Sequence, residues 1–193
     1  MLSLEESLKI LKETKALLDG HFILSSGLHS PQYVQCAQLM SKPKMAEKIC
    51  LSLSEKIKKE FTQIDLILSP AMGGIIIGYE IGKLLNKETI FSERVGGEFK
   101  LRRDFTLKKE QKVLIIEDVI TTGKSSLECS EIIKSNGAVV VGYACIIDRS
   151  NNKSLIKDKI VSQIKLNIPT YTKENLPKNL LSIKAIKPGS RNI

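Results

Sequence analysis

Tryptophan is absent from this 193-residue chain, histidine occurs only twice, and aromatic residues make up 5% of it. The four cysteines (Cys36, Cys50, Cys129, Cys145) stand apart, with no C-x-x-C pair and no histidine at ligand spacing. That arithmetic argues against a disulfide framework or a zinc site, and inert buried thiols are expected for Cys50, Cys129 and Cys145, which sit in apolar patterns. No apolar run approaches the roughly 18 residues of a membrane span. The start, Met1-Leu2-Ser3-Leu4-Glu5-Glu6, turns acidic at once and lacks the form of a secretory signal, so the cytoplasm is the expected compartment.

Acidic residues are the scarcer charge: 21 Asp and Glu face 30 Lys and Arg, a net charge of +9. Most lysines lie in helical patterns, as on a solvated face. The densest basic stretch, Lys100 to Lys109, contains Asp104 and has only Phe99 and Phe105 as aromatic neighbours. With no recognisable nucleic-acid motif, a small anionic substrate accounts for the charge, and no nucleic-acid partner is expected.

With 42% hydrophobic residues, the length suits one globular domain spanning residues 1–193. Ser3 and Glu6 form a capping-box pattern, and Gly20 reads as the stop of a helix over about 4–18. Short strands follow around Phe22–Leu24 and Tyr33–Gln35. Pro43 opens a second helix, Ile64–Leu68 is a buried strand, and a third helix runs from about Ile75 to Leu85. After a brief strand at Thr89–Phe91, residues 92–109 read as a mobile loop with room for a small hairpin. Val113–Ile116 and Val139–Ile147 are the clearest buried strands, separated by a helix from Ser125 to Ser135; Val161–Ile168 suggests an edge strand. Val- and Ile-rich strands alternating with helices imply an α/β fold with a central, mostly parallel sheet. Ligands of such sheets sit beyond the carboxyl ends of the strands, so the loops after Leu68, Ile116 and Ile147 matter most.

Gly123-Lys124-Ser125 invites a triphosphate-loop reading, which fails because position 118, where the motif needs glycine, is aspartate. An acidic pair suits another ligand. Glu117 and Asp118 at a strand end can accept hydrogen bonds from the vicinal hydroxyls of a ribose. Thr121, Thr122, Gly123, Lys124 and Ser125 then offer amides and hydroxyls at a helix N-terminus, where a phosphate dianion is favoured. Sugar and phosphate recognition within nine residues describe a ribose 5-phosphate site. The bland alternative is an ordinary strand end with Thr121 as a helix cap.

The string Val113 to Gly123, with Val119 and Ile120 at its centre, resembles the phosphoribosyl pyrophosphate (PRPP) signature of type I phosphoribosyltransferases. Gly20 to Tyr33 is similar to the N-terminal motif of the orotate phosphoribosyltransferase family, Ile146-Ile147-Asp148-Arg149 to its orotate-binding strand end, and Lys187 to Arg191 to the close of one branch. The resemblance implies a type I phosphoribosyltransferase-like fold with a small N-terminal hood and a flexible lid loop. It implies transfer of phosphoribosyl from PRPP to orotate with Mg²⁺ held through PRPP and water, no direct protein ligand to the metal, and a homodimer. Glu117 to Ser125, Arg94 and Arg103 would bind PRPP; Thr121, Arg149, Ser26 and Tyr33 would bind orotate. Asp118, Glu117 and Lys100 would act in catalysis, and Arg94, Lys100, Arg102 and Arg103 would belong to the lid. The Pro70–Gly74 turn would lend amides to pyrophosphate. Arg149 also suits a flat carboxylate ligand physically, because a guanidinium pairs with it in two-pronged fashion. Some members carry lysines where this chain has Ser25 and Gly73, and the lid Gly96–Arg103 differs from the commoner lysine-rich form. His29 has no visible partner and reads as structural or as a solvent-facing loop residue. Two rivals stay open: a phosphoribosyltransferase for a purine or uracil, and a PRPP-sensing regulator that binds nucleic acid.

Overall fold

The computed structural model describes residues 1–24, 26–151 and 153–188. The strands β3 (Leu66–Pro70), β4 (Glu88–Val95), β5 (Glu98–Leu101), β6 (Lys112–Ile120), β7 (Val139–Asp148) and β8 (Ile160–Lys165) form a sheet in the order β5-β4-β3-β6-β7-β8. Neighbours run parallel except β4 and β5. Helix α4 (Gly73–Leu85) carries the chain from β3 to β4, and α5 (Lys124–Ser135) carries it the opposite way, from β6 to β7. Between β3 and β6 the direction of winding reverses, which opens a crevice at their carboxyl ends.

Side chains on β6 and β7 alternate between two cores. Leu114, Ile116, Ala144 and Ile146 pack with Ile49, Leu53 and Ile57 of α3 (Pro43–Glu60) and with Ile77 and Ile81 of α4. Val113, Ile115, Tyr143 and Cys145 pack on the other face with Cys129 and Ile133 of α5 and Phe99 of β5. Both faces are covered, which is why these strands read as unbroken apolar runs. All four cysteines are buried and unpaired, and burial pushes the Cys50 and Cys129 thiols up to about 12. Their burial agrees with the apolar patterns around Cys50, Cys129 and Cys145.

A second sheet is the antiparallel pair β1 (Leu17–Ile23) and β2 (His29–Val34), the N-terminal hood. Here the sequence reading needs correction. Helix α1 (Leu4–Glu13) has the expected capping box but stops well before residue 18, and Gly20 lies within β1. Lys15 takes a left-handed φ of 60°, while Lys15 N–H donates to the Lys12 carbonyl and Ala16 N–H to that of Leu11. That is the hydrogen-bond pattern by which helices commonly end with glycine, built here on a lysine and so unmarked in the sequence. A short helix α2 (Cys36–Met40) was also not foreseen.

Residues 92–101 form the small hairpin for which the sequence leaves room, and no mobile loop: β4 and β5 pair regularly, with Val95 opposite Glu98 across Gly96-Gly97. Both glycines have positive φ (61° and 91°), the conformation a two-residue hairpin turn with the right twist requires. The Gly-Gly signal stood in the sequence beside alternating residues. Phe91 and Phe105 pack edge to face at 5.3 Å beneath this hairpin. Gly97→Val is expected to strain the turn by about 1–2 kcal/mol without a steric clash, since no atom lies within 4 Å of the added carbon. Amide exchange should speed up in β5 and stay unchanged in β6; uniform exchange across both strands would contradict an autonomous turn.

Candidate active site

The crevice at the β3–β6 switch point gathers the acidic pair. Glu117 and Asp118 are not in the loop proper: β6 continues through Ile120, because its backbone still pairs with β7 as far as Asp148. Strand geometry sends successive side chains to opposite faces. Glu117 is buried and accepts a 2.8 Å hydrogen bond from the hydroxyl of Ser126, in the first turn of α5. Asp118 lies under the first turn of α4; a Cβ at Gly73 would come within 2.8 Å of its carboxylate. Any side chain at position 73 would therefore require Asp118 to shift.

Burial raises Glu117 to about 7, opposed by the Ser126 hydroxyl and reinforced by Asp118. Asp118 is also raised by burial, less the effect of hydrogen bonding from the Val119 N–H. Among the described residues no ion pair reaches either carboxylate. A buried Glu117 beside a half-buried Asp118, with no cation paired to either, forms a site that gains from hydroxyl donors, such as a sugar diol, or from a cation brought by a ligand.

Beyond Ile120 the chain turns through Thr121 and Thr122, both exposed, into α5. Gly123 is the N-cap with φ of 80°, and a Cβ there would meet Ile156 and Ser154 at 2.8 Å. Only glycine serves at this position. The cap makes no side-chain hydrogen bond, so Thr121 is not the helix cap; Thr122 Oγ1 instead accepts from the Lys124 N–H at 3.3 Å. The first-turn amides of α5 have no helical acceptors and face the loop. Ile120 and Val119 offer only backbone here. The Ile120 side chain is buried in one core, its carbonyl accepts from the Arg149 N–H, and Val119 packs against the other core.

Arg149 follows β7. Its Nε is buried without a partner among the described residues, and burial lowers its pKa. Cys36 and Tyr33 are near enough to act on its charge, and the Cys36 Sγ lies 3.9 Å from the Asp118 carbonyl. The hood residue Tyr33, the guanidinium and the acidic strand thus converge. Ser26 lies exposed in the β1–β2 turn; Ser25, part of the expected hood, and Gly189 to Arg191, part of the closing motif, fall outside the described residues. Sequence reasoning missed Ser126 and Cys36, since only folding brings them to the acidic pair.

The four candidate lid cations are each held locally. Arg94 pairs with Glu128 of α5 at 2.6 Å, donates to the Gly97 carbonyl and lies over the Phe99 ring at 4.1 Å. Lys100 is 3.7 Å from Glu98, and Arg102 and Arg103 both reach Glu93. None of them pairs with Glu117 or Asp118. His29 is not solvent-facing: it is buried against His21, because the hood folds beneath the C-terminal segment.

The raised Glu117 makes stability depend on pH. A carboxyl whose folded value exceeds its unfolded value of 4.5 stabilises the fold below 4.5, and that contribution is lost as pH rises through about 7. The gap corresponds to about 3 kcal/mol. Glu117→Gln, which keeps the acceptor for Ser126, should raise the thermal midpoint at pH 8 by several degrees, with the gain shrinking toward pH 5. Equal midpoints at every pH would show that the carboxylate is not strained by burial.

The phosphoribosyl transferase domain model matches residues 35–175. The orotate phosphoribosyltransferase of Parvibaculum lavamentivorans is 47% identical over 98% of both chains, and that of Erythrobacter litoralis 44% over 97% of both. Among solved structures, the orotate phosphoribosyltransferase of Aeropyrum pernix superimposes with a TM-score of 0.71 at 25% identity, covering 82% of this chain and 92% of that one. The Leishmania donovani UMP synthase shares the fold at TM-score 0.70 and 23% identity, over 83% of this chain and 36% of that chain. No helix among the described residues is long and apolar enough to cross a membrane. The chain is a transferase and belongs to the orotate phosphoribosyltransferase family.

Proposed function

We propose that this protein, as one domain over residues 1–193, transfers the phosphoribosyl group of PRPP to orotate in the cytoplasm, giving orotidine 5′-monophosphate and pyrophosphate. The observation that carries the assignment to particular residues is the meeting of the Glu117–Asp118 strand end with the orphaned Arg149 Nε at adjacent strand termini. The ribose 2- and 3-hydroxyls donate to the two carboxylates, and the 5′-phosphate takes the amides of Thr121 to Ser125. The orotate carboxylate accepts from Arg149, with Thr121, Ser26 and Tyr33 around the base. The ring nitrogen bonds to the anomeric carbon while the bond to pyrophosphate breaks, the C–O electron pair leaving with the phosphate oxygen and the proton of the ring nitrogen passing to the departing pyrophosphate or to water. Positive charge then grows at that carbon beside Glu117 and Asp118. Catalysis rests on position and charge.

Glu117 and Asp118, unpaired among the described residues, would also suit Mg²⁺ delivered on PRPP, and the ion would screen the pyrophosphate charge there. The Pro70–Gly74 turn, wedged against Asp118 through Gly73, offers amides to the leaving group. Lid closure requires Arg94, Lys100, Arg102 and Arg103 to trade their acidic partners for pyrophosphate, excluding water that would hydrolyse PRPP. Lys100, with a single 3.7 Å contact to an exposed Glu98, exchanges most cheaply.

Purified protein should consume orotate only with PRPP and Mg²⁺ together. Arg149→Ala should raise the KM for orotate from about thirtyfold to several thousandfold, the cost of stripping one partner from a desolvated charge pair, with PRPP binding nearly unchanged. Separate titrations of the two substrates decide the matter: equal losses would make the arginine structural, and turnover of a purine instead would refute the base assignment.

A homodimer fits the outer face of α4, where Met72, Ile76 and Tyr79 are 82%, 56% and 68% exposed at helical spacing. This stripe begins beside the Pro70–Gly74 turn, so a second copy seated on it would bring its lid near the site. Light scattering should give twice the 21.5 kDa chain mass, and Tyr79→Glu should halve it. A monomeric wild-type protein would dismiss the dimer.

A further inference from the structure

The hood is a two-stranded hairpin, and such pairs are marginally stable alone in water. Its two histidines, which the mechanism does not use, are both buried, at 4% and 8% exposure. His21 Nε2 and His29 Nδ1 are 2.6 Å apart, and His21 Nδ1 is 2.9 Å from the Ile183 carbonyl. A carbonyl only accepts, so His21 donates from Nδ1; with both rings neutral it presents a lone pair at Nε2, and His29 donates to that lone pair from Nδ1. The result is a directed relay from His29 through His21 to Ile183. The same residues are tied by backbone to the same segment. His29 exchanges both backbone hydrogen bonds with Tyr171, at 2.8 and 2.9 Å, and the His21 carbonyl accepts from the Ile186 N–H at 2.8 Å. The C-terminal segment therefore grips both edges of the hood, and the imidazole pair spans between the two grips.

We propose that His21 and His29 are positioning residues for orotate: their relay fastens the hood to residues 171–186 and so fixes Ser26 and Tyr33 over the base. His29 opens the strand that carries Tyr33 and lies three residues from Ser26. The inference rests on the proposed seat of orotate between Arg149 and the hood. Losing the His29 donor leaves a buried His21 nitrogen without that partner, a cost that lifting the hood from the segment relieves.

His29→Ala should raise the KM for orotate roughly tenfold, while kcat and the KM for PRPP stay within about twofold. His29→Asn, whose amide nitrogen can stand where Nδ1 stood, should recover most of the loss. In the wild-type protein, nitrogen-15 spectra of the imidazoles should show both histidines protonated at Nδ1. Tyr33→Ala serves as the control for the seat of orotate. If Tyr33→Ala raises the orotate KM and His29→Ala does not, the relay is overturned and the hood reading stands. If Tyr33→Ala has no effect, both fall. An equal rise in the KM for PRPP, failure of Asn to rescue, or a proton on Nε2 of His29 would also overturn the relay. The spectra decide even if His29→Ala does not fold.

Discussion

The structure turns on two adjacent carboxylates at the end of its central strand, Glu117 buried and Asp118 half-buried. Buried anions without cations are costly, and the surroundings of Glu117 and Asp118 lower the cost only partly. One hydroxyl from Ser126 reaches Glu117, and one backbone amide reaches Asp118. Elsewhere the fold spends its strong ion pairs on the lid hairpin and α5. The site is left acidic and short of donors, a condition that hydroxyl groups or a cation would relieve.

Much of the architecture serves that condition. The reversal of winding between β3 and β6 sets two helix N-termini around the acids, that of α4 beside Asp118 and that of α5 below Glu117. Their dipoles favour anions at the same crevice in which the carboxylates favour a sugar. Glycines at 73 and 123 permit the approach, one because Asp118 fills the space of its side chain and the other because Ile156 and Ser154 do. Arg149 belongs to the same logic: it reaches the crevice from β7 with Nε desolvated and unpaired, so its free energy falls when a planar anion arrives.

The sequence by itself determined the central strands β3, β6 and β7, because their Val and Ile runs are long enough to require cover on both faces. It also determined the acid-then-amide order of residues 117–125, since that chemistry is local and contiguous. The Gly96-Gly97 turn was legible as the place of a small hairpin, though not the regular pairing of β4 with β5 on either side of it. Tertiary structure alone decided the rest. The end of α1 rests on a lysine in a left-handed conformation, which no residue preference announces. The environment of Glu117 depends on Ser126, nine positions away on a helix, and that of Arg149 on Cys36 and Tyr33, more than a hundred positions away. His29, partnerless in the sequence, found His21 across a hairpin and Tyr171 in a distant segment. Local patterns fix which backbone forms; which side chains share a buried space is set by packing, and that is where the polar groups of this site acquire their partners and their strain.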